Sequence, residues 1–159
     1  MELIKCYIEI KKGSNMKYEF DTDKNKLVLD RVLAEPYYYP FAYGFIPNTL
    51  GNDGDDLDIL VITDKDIEID TTIEGYIIGA LVMEDEHGMD EKLFIVPVDE
   101  YLIFSDVEQM DSRDIHKIVK FFTNYKNKDV GKWSKVHGIM SKIDSIKLYE
   151  NCKLYPERT

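Results

Sequence analysis

The sequence predicts a β-rich α+β fold: a small barrel or sandwich with two helices late in the chain. Three observations carry this. Short runs rich in β-branched and aromatic residues recur up to about residue 104, with polar turns between them. After about Ser105 the apolar residues change to helical spacing. A chain of 159 residues with 44% apolar side chains supplies one core of ordinary size, so a single domain over residues 1–159 is expected.

The elements follow in order. Residues 3–10 are rich in Ile and Tyr, a first strand. Residues 17–20 and 26–32 flank the polar turn Asp21-Thr22-Asp23-Lys24-Asn25, a hairpin signal. Glu35 to Pro47 is a Pro/aromatic stretch in which proline fixes the backbone and discourages helix. Most of its rings read as packing, while the hydroxyls of Tyr39 and Tyr43 are candidates to face a polar cleft. Leu57–Thr63, Glu74–Met83 and Lys92–Val98 are apolar strand-like runs, the last two separated by the acidic loop Glu84–Glu91. Ile115, Ile118, Val119, Phe122 and Tyr125 mark a helix with Ser112 as its N-cap. A weaker helical pattern runs from Ser141 to Asn151, with Ile143, Ile146 and Tyr149 on one side.

Charge narrows the function classes. The formal net charge is −11, and so acidic a chain is repelled by nucleic-acid phosphates and anionic lipid. No nucleic-acid or membrane partner is expected. Cys6 and Cys152 form no disulfide framework and no metal pair, and two free thiols fit a reducing compartment. The start lacks a signal-peptide pattern, and no apolar run reaches the ~18 residues of a membrane span. A cytoplasmic location is the expectation.

The densest chemistry lies in Asn52-Asp53-Gly54-Asp55-Asp56-Leu57-Asp58, where four carboxylates crowd ahead of an apolar strand. In extended geometry Asp53 and Asp55 point the same way. Like charges this close need a cation, and all-oxygen donors suit Mg²⁺, Mn²⁺ or Ca²⁺. A solvated acidic turn is the competing reading. An EF-hand is excluded, because counting from Asp53 its required Gly and Glu positions hold Asp58 and Asp64. The second acidic loop adds Asp85 and Asp90. Together the loops offer enough oxygen for two ions, an arrangement common in phosphoryl chemistry.

Cations are scarcer. Arg31 sits inside an apolar strand, where it needs an anionic partner: Asp30, another acid, or a ligand phosphate. Lys17 and Glu19 alternate on one strand face. Tyr125-Lys126 ends the first helix shortly before Gly131-Lys132-Trp133. No GxSxG, P-loop or HExxH motif occurs, and His87, His116 and His137 do not cluster.

Taken in order, these landmarks resemble a known family. Ile8-Glu9-Ile10, Lys17-Tyr18-Glu19, Asp30-Arg31, Tyr39-Pro40, Tyr43-Gly44, Asp53-Gly54-Asp55-Asp56-Leu57-Asp58, Asp85 to Lys92, Tyr125-Lys126 and Gly131-Lys132-Trp133 follow the sequence of motifs in family I soluble inorganic pyrophosphatases. The resemblance implies a five-stranded, OB-like barrel with flanking C-terminal helices. It implies Mg²⁺-dependent hydrolysis of pyrophosphate to two orthophosphates by a metal-activated water, with Mn²⁺ as a substitute. It assigns Asp53, Asp58, Asp85 and Asp90 as metal ligands and Asp55 as the general base. Lys17, Arg31, Tyr43, Tyr125 and Lys126 would hold phosphate oxygens, with Glu9, Glu19, Tyr39 and Lys92 as secondary site residues. It also implies a homo-oligomer, commonly a hexamer. The chain departs from the family at Asp56, where proline is usual, and at Met89 and Glu91, which frame Asp90 differently. Two other classes stay open on the residues alone: a non-catalytic OB-like binding module, and an acidic protein whose carboxylates only bind metal.

Overall fold

The computed structural model describes residues 2–126 and 130–154. Five strands close a ring: β1 (Ile4–Ile10), β4 (Ala42–Ile46), β5 (Leu57–Val61), β6 (Thr71–Asp85) and β8 (Lys92–Pro97). They pair in the order β1-β4-β5-β8-β6, and β6 returns to β1. All these pairings are antiparallel except β5–β8, which is parallel. This is the closed OB-like barrel that the resemblance implies.

Strand β6 spans 15 residues because it serves more than one partner. Its first part pairs with β1, and its last residues pair with β9 (Ser134–Met140) and the two-residue β7 (Gly88–Met89). The expected hairpin forms as β2 (Met16–Asp21) and β3 (Lys26–Val32), a separate two-stranded sheet with no fully buried residue. It is tied back where Leu33 donates to the Asn15 carbonyl and Tyr39 to the Ser14 carbonyl.

Alternation along the barrel strands sorts their side chains into two cores. Ile4, Cys6, Ile8, Ile59, Val61, Leu93 and Ile95 join one; Ile10, Leu60, Ile78, Leu81, Phe94 and Val96 join the other. Close approach of β1 and β4 requires glycine at position 44, where a Cβ would stand 1.8 Å from the Tyr7 carbonyl oxygen.

Helix α1 (Ser112–Asn124) buries Ile118, Phe121 and Phe122 against the second core. Its N-cap is Asp111, whose carboxylate accepts from the Arg113 amide; Ser112, the expected cap, is the first helical residue. Helix α2 (Lys142–Cys152) starts as expected, with the Ser141 hydroxyl accepting from the Asp144 amide. Its expected apolar side is only partly used: Tyr149 is buried, whereas Ile143 is 66% exposed. Three strands escape the sequence reading: β4 lies inside the Pro/aromatic stretch, the short β7 inside the acidic loop, and β9 between the two helical patterns. Both cysteines are free, and Cys6 is fully buried.

Candidate active site

Strand register brings the acidic loops together. In the parallel β5–β8 pair, Asp58 lies opposite Lys92. Asp90 precedes Lys92 by two residues, and its amide donates to the Met83 carbonyl. The Lys92 side chain is 2% exposed, and its Nζ donates to Asp58 at 2.7 Å, Asp90 at 2.8 Å and the Tyr43 hydroxyl at 2.9 Å. Asp53 completes the cluster. One carboxylate oxygen each from Asp53, Asp58 and Asp90 lie within 4.8 Å of one another.

The β4–β5 connection that carries Asp53 is a tight turn at Gly54. Gly54 takes φ +88°, and the Asp53 carboxylate accepts from the Asp55 amide at 3.0 Å. Asp55 therefore stands exposed beside the cluster, while Asp53 turns into it. Burial raises the Asp53 carboxyl above its ordinary value against the pull of the Asp55 amide, and the negative charges of Asp90 and Asp55 add to the rise. Burial likewise raises Asp58, although Lys92 pulls it down. Three carboxylates facing one ammonium keep an excess of negative charge, which favours a further cation. Hard oxygen donors at this spacing fit a divalent ion.

Asp85 stands outside that triad. At the end of β6 it accepts from Lys126 at 2.9 Å, and Lys126 also reaches Glu86 at 3.5 Å. Burial would raise the Asp85 carboxyl, yet the Lys126 bond leaves it below its ordinary value. Tyr125 caps α1, which delivers Tyr125 and Lys126 to the site. The hairpin supplies the opposite wall. Lys17 and Arg31 are register partners across β2 and β3. Lys17 bonds Glu19 at 2.8 Å and Asp30 at 3.0 Å, so Asp30 serves Lys17. Burial lowers the Lys17 pKa, but these two acids outweigh it and leave it raised. Glu9 on β1 is buried and accepts from the Phe20 amide at 2.8 Å, linking barrel to hairpin. Burial pushes its carboxyl up to about 8.

A single cleft of about 530 Å³ results. It is lined by Glu9, Lys17, Glu19, Arg31, Tyr39, Tyr43, Asp53, Asp55, Asp58, Asp85, Asp90, Lys92, Tyr125 and Lys126, so every residue singled out in the sequence reaches it. Asp30, Glu86 and His87 also line it and were not singled out as site residues. Their positions in the Asp30-Arg31 and Asp85-to-Lys92 landmarks were the available signal. Asp56 lines the cleft as well.

A family model described as inorganic pyrophosphatase matches residues 6–155. The chain belongs to the inorganic pyrophosphatase family. An inorganic pyrophosphatase of Helicobacter pylori is 42% identical over 147 residues, covering 90% of this chain and 85% of the relative. One of Gluconobacter oxydans is 44% identical over 151 residues, covering 91% and 86%. Among solved structures, the Helicobacter pylori inorganic pyrophosphatase superposes with TM-score 0.91 at 40% identity, covering 95% of this chain and 91% of that one. The Thermus thermophilus inorganic pyrophosphatase gives 0.90 at 35% identity, covering 95% and 89%. The ordered motifs thus identified the family correctly. Membership implies dependence on a divalent metal, for which the Asp53–Asp58–Asp90 triad is the candidate site. No helix among the described residues is long and apolar enough to cross a membrane.

Proposed function

We propose that the chain hydrolyses inorganic pyrophosphate to two orthophosphates, with Mg²⁺ as its ion and Mn²⁺ as a substitute. The observation that carries this is one cleft with a carboxylate triad on its barrel wall and Lys17, Arg31 and Lys126 around it. An acidic protein can accept a highly charged anion there because bound metal reverses the local sign.

Asp53, Asp58 and Asp90 would hold the ion, with Asp85 as a further carboxylate ligand. The ion supplies Lewis-acid charge that makes water a better nucleophile near neutral pH. Asp55, exposed and with no ion pair among the described residues, takes the proton from the attacking water. Lys17, Arg31, Lys126, Tyr43 and Tyr125 hold phosphate oxygens and offset charge on the leaving phosphate. Glu19 faces the substrate beside Lys17, while Glu9, Tyr39 and Lys92 support the walls. A covalent intermediate is not required.

We read residues 1–159 as one cytoplasmic domain that works as a homo-oligomer, a hexamer by its family. Leu102 and Ile103 on the surface, 97% and 83% exposed, support burial between copies. The test is phosphate release from pyrophosphate by purified protein, with Mg²⁺ and with EDTA, beside ATP. Mg²⁺-dependent release that spares ATP is expected. No release from folded protein with either Mg²⁺ or Mn²⁺ overturns the reading.

A further inference from the structure

The carboxylate loop has a hinge that no motif marks. β4 ends at Ile46 and β5 begins at Leu57, and the intervening loop carries Asp53, Asp55 and Asp56. The Thr49 side chain spans its two ends. Its Oγ1 donates to the Ile46 carbonyl at 2.6 Å and accepts from the Leu57 amide at 2.9 Å. Thr49 is 1% exposed, so neither backbone group has ready access to water in its place. Beyond the hinge the loop is internally bonded: the Gly51 amide donates to the Asp55 carbonyl and the Gly54 amide to the Gly51 carbonyl. The loop is therefore braced as a unit on its base. Leu57 adjoins Asp58, so the same hydroxyl fixes both the loop with Asp53 and the strand start with Asp58.

The base is held from a second side by the end of the chain. Thr49 and Lys153 form an antiparallel bridge. The Leu50 amide donates to the Cys152 carbonyl at 2.8 Å, and the Leu154 amide to the Asn48 carbonyl at 3.0 Å. Lys153 is in turn anchored on Glu2 at 3.0 Å, and the Tyr149 hydroxyl donates to Glu2 at 2.9 Å. Asn48, at φ +62°, makes the sharp entry into this bridge.

We propose that Thr49 is a positioning residue for the metal site: clamped by Cys152–Leu154, its hydroxyl sets the placement of Asp53 against Asp58. This rests on reading the triad as the metal site of a pyrophosphatase. A residue that orients ligands changes metal affinity, whereas one that only stabilises the fold changes the melting temperature alone.

The experiment is calorimetric titration of the metal-free full chain with Mg²⁺ alone, beside thermal melting in EDTA, for Thr49→Val and Thr49→Ser. Valine keeps the shape and removes the hydroxyl; serine keeps both bonds. Mg²⁺ affinity about 10-fold or more weaker in Thr49→Val, with Thr49→Ser near the parent, is expected. Thr49→Val with a lower melting temperature and parental Mg²⁺ affinity overturns the proposal. Should Thr49→Val not fold, Leu154→Pro decides, since it removes one clamp bond outside the loop. Weakened Mg²⁺ binding in that variant supports the clamp, and unchanged binding overturns it. None of these titrations needs pyrophosphate turnover. A parent that binds Mg²⁺ but releases no phosphate would sink the proposed reaction and leave the hinge standing.

Discussion

On the barrel side of the cleft the Lys92 side chain is 2% exposed, and it donates to Asp58, Asp90 and Tyr43. On the hairpin side the Lys17 side chain is 20% exposed, and its partners Glu19 and Asp30 are 59% and 42% exposed. The chemistry is the same, an ammonium between two carboxylates, but the surroundings differ. Buried charges interact strongly and are costly to separate, so the barrel wall holds a fixed geometry. Exposed pairs are screened and weak, so the hairpin can exchange a carboxylate for a ligand oxygen. The difference follows from support. β5 and β8 are flanked by other strands and covered by two cores, whereas β2 and β3 pair only with each other. One wall is suited to holding an ion, and the other to grasping and releasing a phosphate.

Four changes test this contrast, the first three from the largest effect down. Asp55→Asn stands on the barrel wall yet removes only a proton acceptor. Turnover should fall by about 10²- to 10⁴-fold with melting and Mg²⁺ binding retained, and near-normal turnover would sink its role as base. Lys92→Met leaves the half-buried Asp58 and Asp90 without their internal cation. In EDTA it should cost about 3 kcal/mol by chemical denaturation, with much of the loss recovered in Mg²⁺. A loss that Mg²⁺ does not reduce would show that Lys92 and metal do not answer the same charge.

Lys17→Ala is the matched change on the hairpin. Stability should shift by no more than about 1 kcal/mol, while KM for pyrophosphate rises. A stability loss as large as that of Lys92→Met would erase the contrast between the walls.

Glu9→Gln probes the joint between them, with an effect read in the pH dependence of stability rather than at one pH. Burial lifts the Glu9 carboxyl from its ordinary 4.5 to about 8, so the folded protein holds a proton that the unfolded chain releases. Glu9 thus opposes folding increasingly as pH rises from 4.5 towards 8. Relative to the parent, Glu9→Gln should lose that decline in stability, as denaturation at pH 5, 6.5 and 8 would reveal. Parallel pH curves for the two proteins would contradict it.

Much of the fold was legible because its signals are local. The apolar runs Leu57–Thr63 and Lys92–Val98 marked strands, and the Asp21–Asn25 turn marked the hairpin. β9 was not legible. Its segment Ser-Lys-Val-His-Gly-Ile-Met has a weak β pattern, with Gly138 at φ +150°, and it is a strand because β6 offers it an unpaired edge. β4 was hidden between Pro40 and Pro47. In the site, the acids and cations were readable as types, but Thr49 carried no signal. A lone threonine before a loop gains meaning only when Ile46, Leu57 and Lys153 surround it.

The sequence by itself determined the chemistry: dense carboxylates on two loops, a few lysines and one arginine near them, and apolar runs to carry both. Tertiary structure decided the pairing. Asp53, Asp58 and Asp90 share one centre while Asp85 goes to Lys126, because parallel register sets Asp58 beside Lys92 and the end of β6 meets the residue just past the α1 cap. Period and composition report which face a side chain takes. Register across strands distant in sequence fixes which faces meet, and the packing of the closed barrel sets that register.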